Sequence, residues 1–430
     1  MRAFVLSFIA VTLVVAPAIA APPPLTPATL PSTPDKLLKV GTKGTPETSW
    51  GKDGIATTRV RPQLVSADGD GGVYVFDQQS ISANDNRVLI TRLTSNGLED
   101  TAFGKGGGMI LGAPGITLLQ GVTLDAKGRV VLLVSAKPMG APAAALVAYR
   151  FSNGALDPSF NGGGAVTISI PSPAVAERTG AVALGRDGAG RILIAGSDDP
   201  AKHRNVFVVR LQENGSLDAT FAGGVAIASS ATFAFDVSRV LTDPQSGKVW
   251  IVANKSVAGG GVIAGPEPIP ASGGIALFRF DANGAVDAKF GKNGAVMLDG
   301  FGALDASANA GGILVGGYSG SDGTKLKPAL VRWNENGALD SSFGSGGKLV
   351  LAGVKDASLG RIRRVLRDGS GRIVAVGGYR TGSSSVTFVS RFDTVGKNDT
   401  TFGSAGTASF NVQAPEPEID PQGNVLFRGP

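Results

Sequence analysis

His203, in "DDPAKHRN", is the only histidine of the chain. A serine nucleophile activated by imidazole would have to use that one ring. It stands among polar loop residues and reads as a surface side chain. Cysteine is absent, which removes thiolate nucleophiles, disulfides and thiolate metal sites. A zinc centre built from several His or Cys ligands is therefore out of reach. What remains is carboxylate chemistry. Two Asp or Glu side chains converging in the fold could cleave a glycosidic bond by acid–base catalysis. The Asp oxygens of "SADGDGG" (66–72) could hold calcium, although the same residues form a turn. The runs "GKGGG" and "GGGAV" precede strands rather than helices, so no phosphate-cradling loop is expected. No catalytic residue, metal or cofactor is assigned.

The residues with the strongest spacing are instead the repeated ones. "GALDPSFNGGG" (154–164) returns as "GTPETSWGKDG" (44–54), "GLEDTAFGKGG" (97–107), "GSLDATFAGG" (215–224), "GAVDAKFGKNG" (284–294), "GALDSSFGSGG" (337–347) and "GKNDTTFGSAG" (396–406). Each copy centres on an aromatic: Trp50, Phe103, Phe160, Phe221, Phe290, Phe343 or Phe402. An Asp followed by two residues and an aromatic suits the cap of a single helical or 3₁₀ turn. The ring is then driven inward, and the motif is read as a blade connector. A base precedes each motif acid in step. The pairs are Lys39 and Glu47, Arg92 and Asp100, Arg150 and Asp157, Arg210 and Asp218, Arg279 and Asp287, Arg332 and Asp340, and Arg391 and Asp399. Bases and acids kept in step predict a repeated ion pair.

The elements around the motif read as strands. Each unit has a short β-rich run after the motif, then a strand ending in an Asp-x-x-Gly turn (Asp68, Asp125, Asp187, Asp368, Asp420). An apolar strand such as "ILIAG" follows, and last a strand ending in the base, such as "FVVRL". No segment carries sustained helical periodicity. The 63 glycines and 6% aromatic content also suit many strands and tight turns. The aromatics lie 53 to 69 residues apart, a period that fits a four-stranded propeller blade. The expected fold is all-β: a seven-bladed β-propeller of four-stranded blades over 36–430. "LLKVGTKG" (37–44) aligns with "VVRLQENG" (208–215), and the C-terminus lacks that strand. The N-terminal strand is therefore expected to pair with the C-terminal partial blade and close the ring.

These repeats resemble the delta-60-repeat β-propeller proteins, whose unit reads roughly R-L-x-x-x-G-x-L-D-x-x-F-G-x-G-G. The resemblance covers 37–430 and implies an exported bacterial propeller without implying a chemistry.

The ends and the charge set the context. Arg2, the apolar run from Phe4 to Val15, and Ala18-Ile19-Ala20 read as a signal peptide (1–20) cut between Ala20 and Ala21. Residues 21–35 read as a Pro-rich linker. A periplasmic or extracellular monomer is expected, with no transmembrane span after cleavage. Net charge is +6 without a dense basic run, so nucleic acid is not an expected partner. Variable loops lie on the face opposite the motifs, and such loops on a rigid scaffold commonly carry recognition. The candidate ligand-binding residues there are Asn86, Arg87, Asp199, Lys202, Arg204, Lys325 and Arg380. The reading is a non-catalytic binding or scaffold module for an envelope or extracellular protein or glycan. The alternative is a carboxylate-dependent hydrolase or lyase with its site in the central channel.

Overall fold

A computed structural model describes residues 35–429 apart from 112–114, 142–143, 169–181, 198–204, 231–232, 258–261, 264–268, 271–272, 310, 321–324, 352–356, 413–416 and 421. The expected signal peptide, its cleavage site at Ala20 and Ala21, and residues 21–34 of the linker lie outside this range. Among the described residues no helix is long and apolar enough to cross a membrane.

The unit containing Arg210 shows how each sheet is made. Its strands are Val182–Arg186, Ile192–Ser197, Asn205–Leu211 and Val225–Ser229, antiparallel and hydrogen-bonded in sequence order. The second strand is apolar on both faces, and Ile192, Leu193, Ile194 and Ala195 are all buried. The fourth alternates, with Ala226 and Ala228 buried and Val225 and Ile227 half-buried, the pattern of a strand with one wet face. The same order recurs in Phe233–Thr242, Val249–Val257, Gly274–Phe280 and Ala295–Asp299. It recurs again from Phe301–Asn309 to Lys348–Val350 and from Ala357–Arg367 to Thr407–Phe410. A nine-stranded sheet joins two such units, those of Arg92 and Arg150, through one parallel bridge between Asn86 and Ile116.

The first strand of each unit is innermost. These strands together line one cavity of about 890 Å³. The core lies between neighbouring sheets; Leu193, Val206 and Phe221 of one, for example, pack with Phe235, Ile251 and Phe278 of the next. Sheets set radially about a shared cavity are the arrangement of a β-propeller.

The repeated motif does not lead from one sheet to the next. It links the third and fourth strands of a single sheet, and the passage between sheets follows the fourth strand. The expected turn is there: Phe221 N–H donates to Asp218 C=O at 3.0 Å, and Thr220 N–H donates to Asp218 Oδ1 at 3.1 Å. The aromatic plugs the gap towards the following sheet. Gly215 sits so close to the Phe160 ring that a Cβ there would meet it at 2.9 Å, and its φ of 84° also favours glycine.

The base of the third strand holds this joint from behind. Arg210 Nε donates to Asp218 Oδ2 at 2.7 Å, and its NH1 donates to Ala282 C=O in the next sheet at 2.8 Å. The guanidinium lies 4.2 Å from the centre of the Phe221 ring. Arg150, Arg279 and Arg391 make the same fork, to Asp157, Asp287 and Asp399 and onward to the carbonyls of Glu213, Glu335 and Thr42. Arg332 reaches Asp340 at 2.8 Å and Thr394 C=O, and Arg92 reaches Asp100 at 2.6 Å.

The first and last described strands lie in one sheet. Asp35–Val40 pairs with Ile55–Thr58 on one side and with Val425–Arg428 on the other, and Glu418–Ile419 completes the four strands. One face of this sheet packs on Val374, Val376 and Phe402, and the other on Val65, Val75 and Leu89. Gly403 N–H donates to Lys43 C=O at 3.0 Å, repeating the joint seen between other sheets.

Three outcomes are expected. Leu37 is fully buried in this shared sheet, so Leu37→Ala should cost about 2–5 kcal/mol by urea unfolding. An unchanged midpoint would place the strand outside the core. Arg210 and Asp218 are buried partners, and losing one such partner costs about 3–5 kcal/mol. A double-mutant cycle of Arg210→Ala and Asp218→Ala should therefore be strongly non-additive; additive losses would mean that the pair is not coupled. Hydrogen bonds from Thr401 hold the Asp399 carboxyl down, to about 2, with Arg391 assisting against burial. That stabilisation is present above about pH 4, the unfolded value, and is lost as pH falls through 2. Asp399→Asn should flatten the loss of stability over that acid window, and an unaltered acid limb would refute it.

Candidate functional site

Four innermost strands are bulged at the same height. The register shifts around Gln120, Ser238, Leu304 and Arg363, each five residues before its turn. A bulge bends the strand and re-aims its side chains. Just below three of these bulges stand Arg239, Asp305 and Arg364 on consecutive sheets, all lining the cavity. Arg239 Nε donates to Asp305 Oδ1, and Arg364 NH1 lies 3.7 Å from the same oxygen. Asp305 Oδ2 accepts Val365 N–H at 2.8 Å. Arg364 NH2 in turn donates to Glu418 on the sheet shared by the chain ends. A string of alternating charge thus crosses four neighbouring sheets.

Four acids line the cavity, Asp305, Asp368, Glu418 and Asp420. Asp368 and Asp420 are turn acids held by Arg372 and Lys39, and the other two are also occupied. Asp305 has two guanidinium groups and a backbone amide. Glu418 is enclosed by protein although its side chain keeps 22% exposure to the cavity. That enclosure pushes its carboxyl up, against the pull of Arg364. Gln63, Gln78, Thr123, Ser238 and Ser307 add neutral polar groups to the wall. Among the described residues no group of three or more His, Cys, Asp or Glu side chains is placed to hold a metal ion. In "SADGDGG", Asp68 Oδ1 accepts the N–H groups of Asp70 and Gly72, and Oδ2 takes Arg92 at 2.6 Å.

The described candidate loop residues belong to the units of three sheets. Asn86 and Arg87 lie near the tip of the hairpin formed by Val73–Ser82 and Asp85–Leu93, and Arg87 is tied to Asp85 at 2.7 Å. Arg380 is exposed near the tip of another hairpin, and Lys325 is exposed ahead of Lys327–Asn334. Asp199, Lys202, Arg204 and His203 lie outside the described residues.

Of the repeated pairs, Lys39 and Glu47 do not meet. Lys39 Nζ lies 3.2 Å from Asp420, and Glu47 instead accepts Ser49 Oγ at 2.7 Å. An ammonium is a point charge and does not fork between two acids as a guanidinium does. Sequence reasoning also missed the turn acids as members of the network. Arg129, Arg191 and Arg372 each link the turn aspartate four residues back to the motif acid; Arg129, for instance, reaches Asp125 at 2.6 Å and Asp157 at 2.7 Å. The recurrence of Arg directly after Asp-x-x-Gly was the available signal.

Residues 190–221 and 311–343 match a protein-family model described as "Domain of unknown function (DUF5122) beta-propeller". Both segments end on a motif aromatic, Phe221 or Phe343. No curated protein sequence matches the chain. Among solved structures, prolyl oligopeptidase B from Galerina marginata is 12% identical, with a TM-score of 0.41 over 77% of this chain and 42% of that one. This chain thus spans less than half the length of that enzyme. An exo-beta-1,3-galactanase from Phanerochaete chrysosporium is 12% identical, with a TM-score of 0.35 over 91% and 96% of the two chains. An N11 neuraminidase-like protein of A/flat-faced bat/Peru/033/2010 is 10% identical, with a TM-score of 0.41 over 86% and 96%. The family match and the sheet arrangement agree on an all-β chain with the fold of a β-propeller repeat family.

Proposed function

We propose that this chain is a seven-bladed propeller, closed by its shared end sheet, that is exported from a bacterial cell and binds a protein or glycan partner without transforming it. The four-stranded sheets, the two joined units and the packing of the end sheet on both neighbours support the count and the closure. The apolar run and Ala-x-Ala site at the N-terminus support export.

The observation that carries the non-catalytic reading is the state of the channel carboxylates. A general acid or base must exchange a proton with its substrate from hydrogen-bond distance. Asp305 is held by Arg239, Arg364 and the Val365 amide, and Glu418 by Arg364. Both are spent on structure that braces four sheets around the cavity, and the other two wall acids, Asp368 and Asp420, are held by Arg372 and Lys39. Recognition falls to the opposite resource, the hairpin tips that carry Arg87, Lys325 and Arg380, together with the loop of Lys202 and Arg204. The second reading, a hydrolase or lyase, rests on Glu418, whose raised carboxyl and partial exposure are attributes of an acid catalyst.

A substrate screen and a capture experiment separate the two. Glycan and ester substrates are expected to show no turnover. Capture of a partner from the source cell envelope should weaken on charge reversal at Lys202, Arg204 and Lys325. Reversal of Lys105 and Lys292, exposed on the motif face, should leave it intact. Turnover abolished by Glu418→Gln in a folded protein would reject the binding reading in favour of the enzyme.

A further inference from the structure

One unit lacks the turn acid that the others have. Asp68, Asp125, Asp187, Asp243, Asp368 and Asp420 each accept a backbone N–H two residues on. In the unit of Arg332 that place is taken by Asn309, whose hairpin is shorter and pairs Asn309 with Gly312. The position that holds Arg129, Arg191 or Arg372 after other turns is Gly312 here.

The charge around this turn does not balance. In the unit of Arg150, two guanidinium groups, Arg129 and Arg150, face Asp125 and Asp157, and Glu213 of the next sheet also pairs with Arg129. Around Asn309 the guanidinium groups are Arg332 and, from the inner strand of the next sheet, Arg367. Among the described residues, Asp340 is the one carboxylate whose charge acts on Arg367, alongside the like charge of Arg332. The Nε of Arg367 is buried and has no hydrogen-bond partner. The Nε of Arg332 lies 2.8 Å from Asp340 Oδ2 but forms no properly directed hydrogen bond with it, unlike the Nε groups of Arg150, Arg210, Arg279 and Arg391. A buried donor left without a partner is costly, and a built protein rarely tolerates it without cause. The site is also the most open of its kind. The Asp340 side chain is 29% exposed, against 0% for Asp218, 8% for Asp287 and 13% for Asp399.

We propose that the gap at Asn309 is a carboxylate-binding site, in which Arg367 and Arg332 hold a carboxylate from outside the chain where the other sheets hold their own turn aspartate. Guanidinium groups match carboxylates in shape and charge, and such contacts are stronger than neutral hydrogen bonds. The carboxylate belongs either to a free small acid or to an Asp or Glu side chain of a bound protein.

Titration of the full chain with acetate, against chloride at equal ionic strength, tests the site by calorimetry. A blocked aspartyl peptide forms the second arm. Saturable binding of one carboxylate per chain is expected. Tighter binding of the peptide assigns the site to a protein side chain, and binding of acetate alone assigns it to a free acid. Arg367→Leu should weaken binding at least tenfold. Leucine already stands directly before a turn aspartate at Leu124, so the fold accommodates it. Arg186→Leu changes an exposed arginine at the same place, beside a unit that keeps its acid, and should leave binding unaltered. Asn309→Asp supplies the missing carboxylate from within and should also suppress binding. No saturable binding, or equal affinity in the parent and Asn309→Asp, would overturn the proposal, even if Arg367→Leu failed to fold.

Discussion

A guanidinium buried on the third strand is the constraint around which the sheets are built. Moving such a group out of water is expensive unless its donors are all used. Arg210 meets that demand with an acid on its own sheet, a carbonyl on the next, and an aromatic face beneath it. The three partners come from two sheets, so satisfying the charge fixes how one sheet sits on its neighbour. Apolar packing between sheets supplies attraction without direction. The arginine supplies the direction. Arg391 extends the rule across the chain ends, because the carbonyl it takes belongs to Thr42.

Much of this was readable from the sequence, for a reason that repetition explains. A residue that recurs in step with another has to satisfy the same local geometry each time, so the base, the acid and the aromatic could be assigned to one joint. The pairing of "LLKVGTKG" with the C-terminal strands was legible in the same way. Lys39 broke the pattern because the residue four beyond its turn aspartate is Asn424 rather than Arg. Asp420 therefore needed a cation, and Lys39 was within 3.2 Å. Arg92 shows the same preference for its turn acid, Asp68, where Gly72 follows the turn. As an arginine, it can hold Asp100 as well.

The channel was not legible. Arg239, Asp305 and Arg364 share one register position, four residues before their turns, but the residue type there changes from unit to unit, and only the radial setting of the sheets makes them and Glu418 neighbours. The position of the motif was misread for a related reason. Its glycines and turn are equally good for leaving a sheet or for doubling back within it, and strand order alone distinguishes the two.

The shared end sheet also governs the order of assembly. Leu37 pairs with Arg428, so the central pairing of this sheet spans almost the whole folded chain. Contacts of such separation close slowly, because the entropy of the intervening loop must be lost before they form. The intermediate sheets are built from near neighbours and can form as the chain emerges. Until the C-terminal strands exist, the first strand has no partner on one edge, and the two flanking sheets expose apolar faces. This sheet is therefore the last that can be completed as the chain folds, and its opening would uncover the apolar faces of both neighbouring sheets.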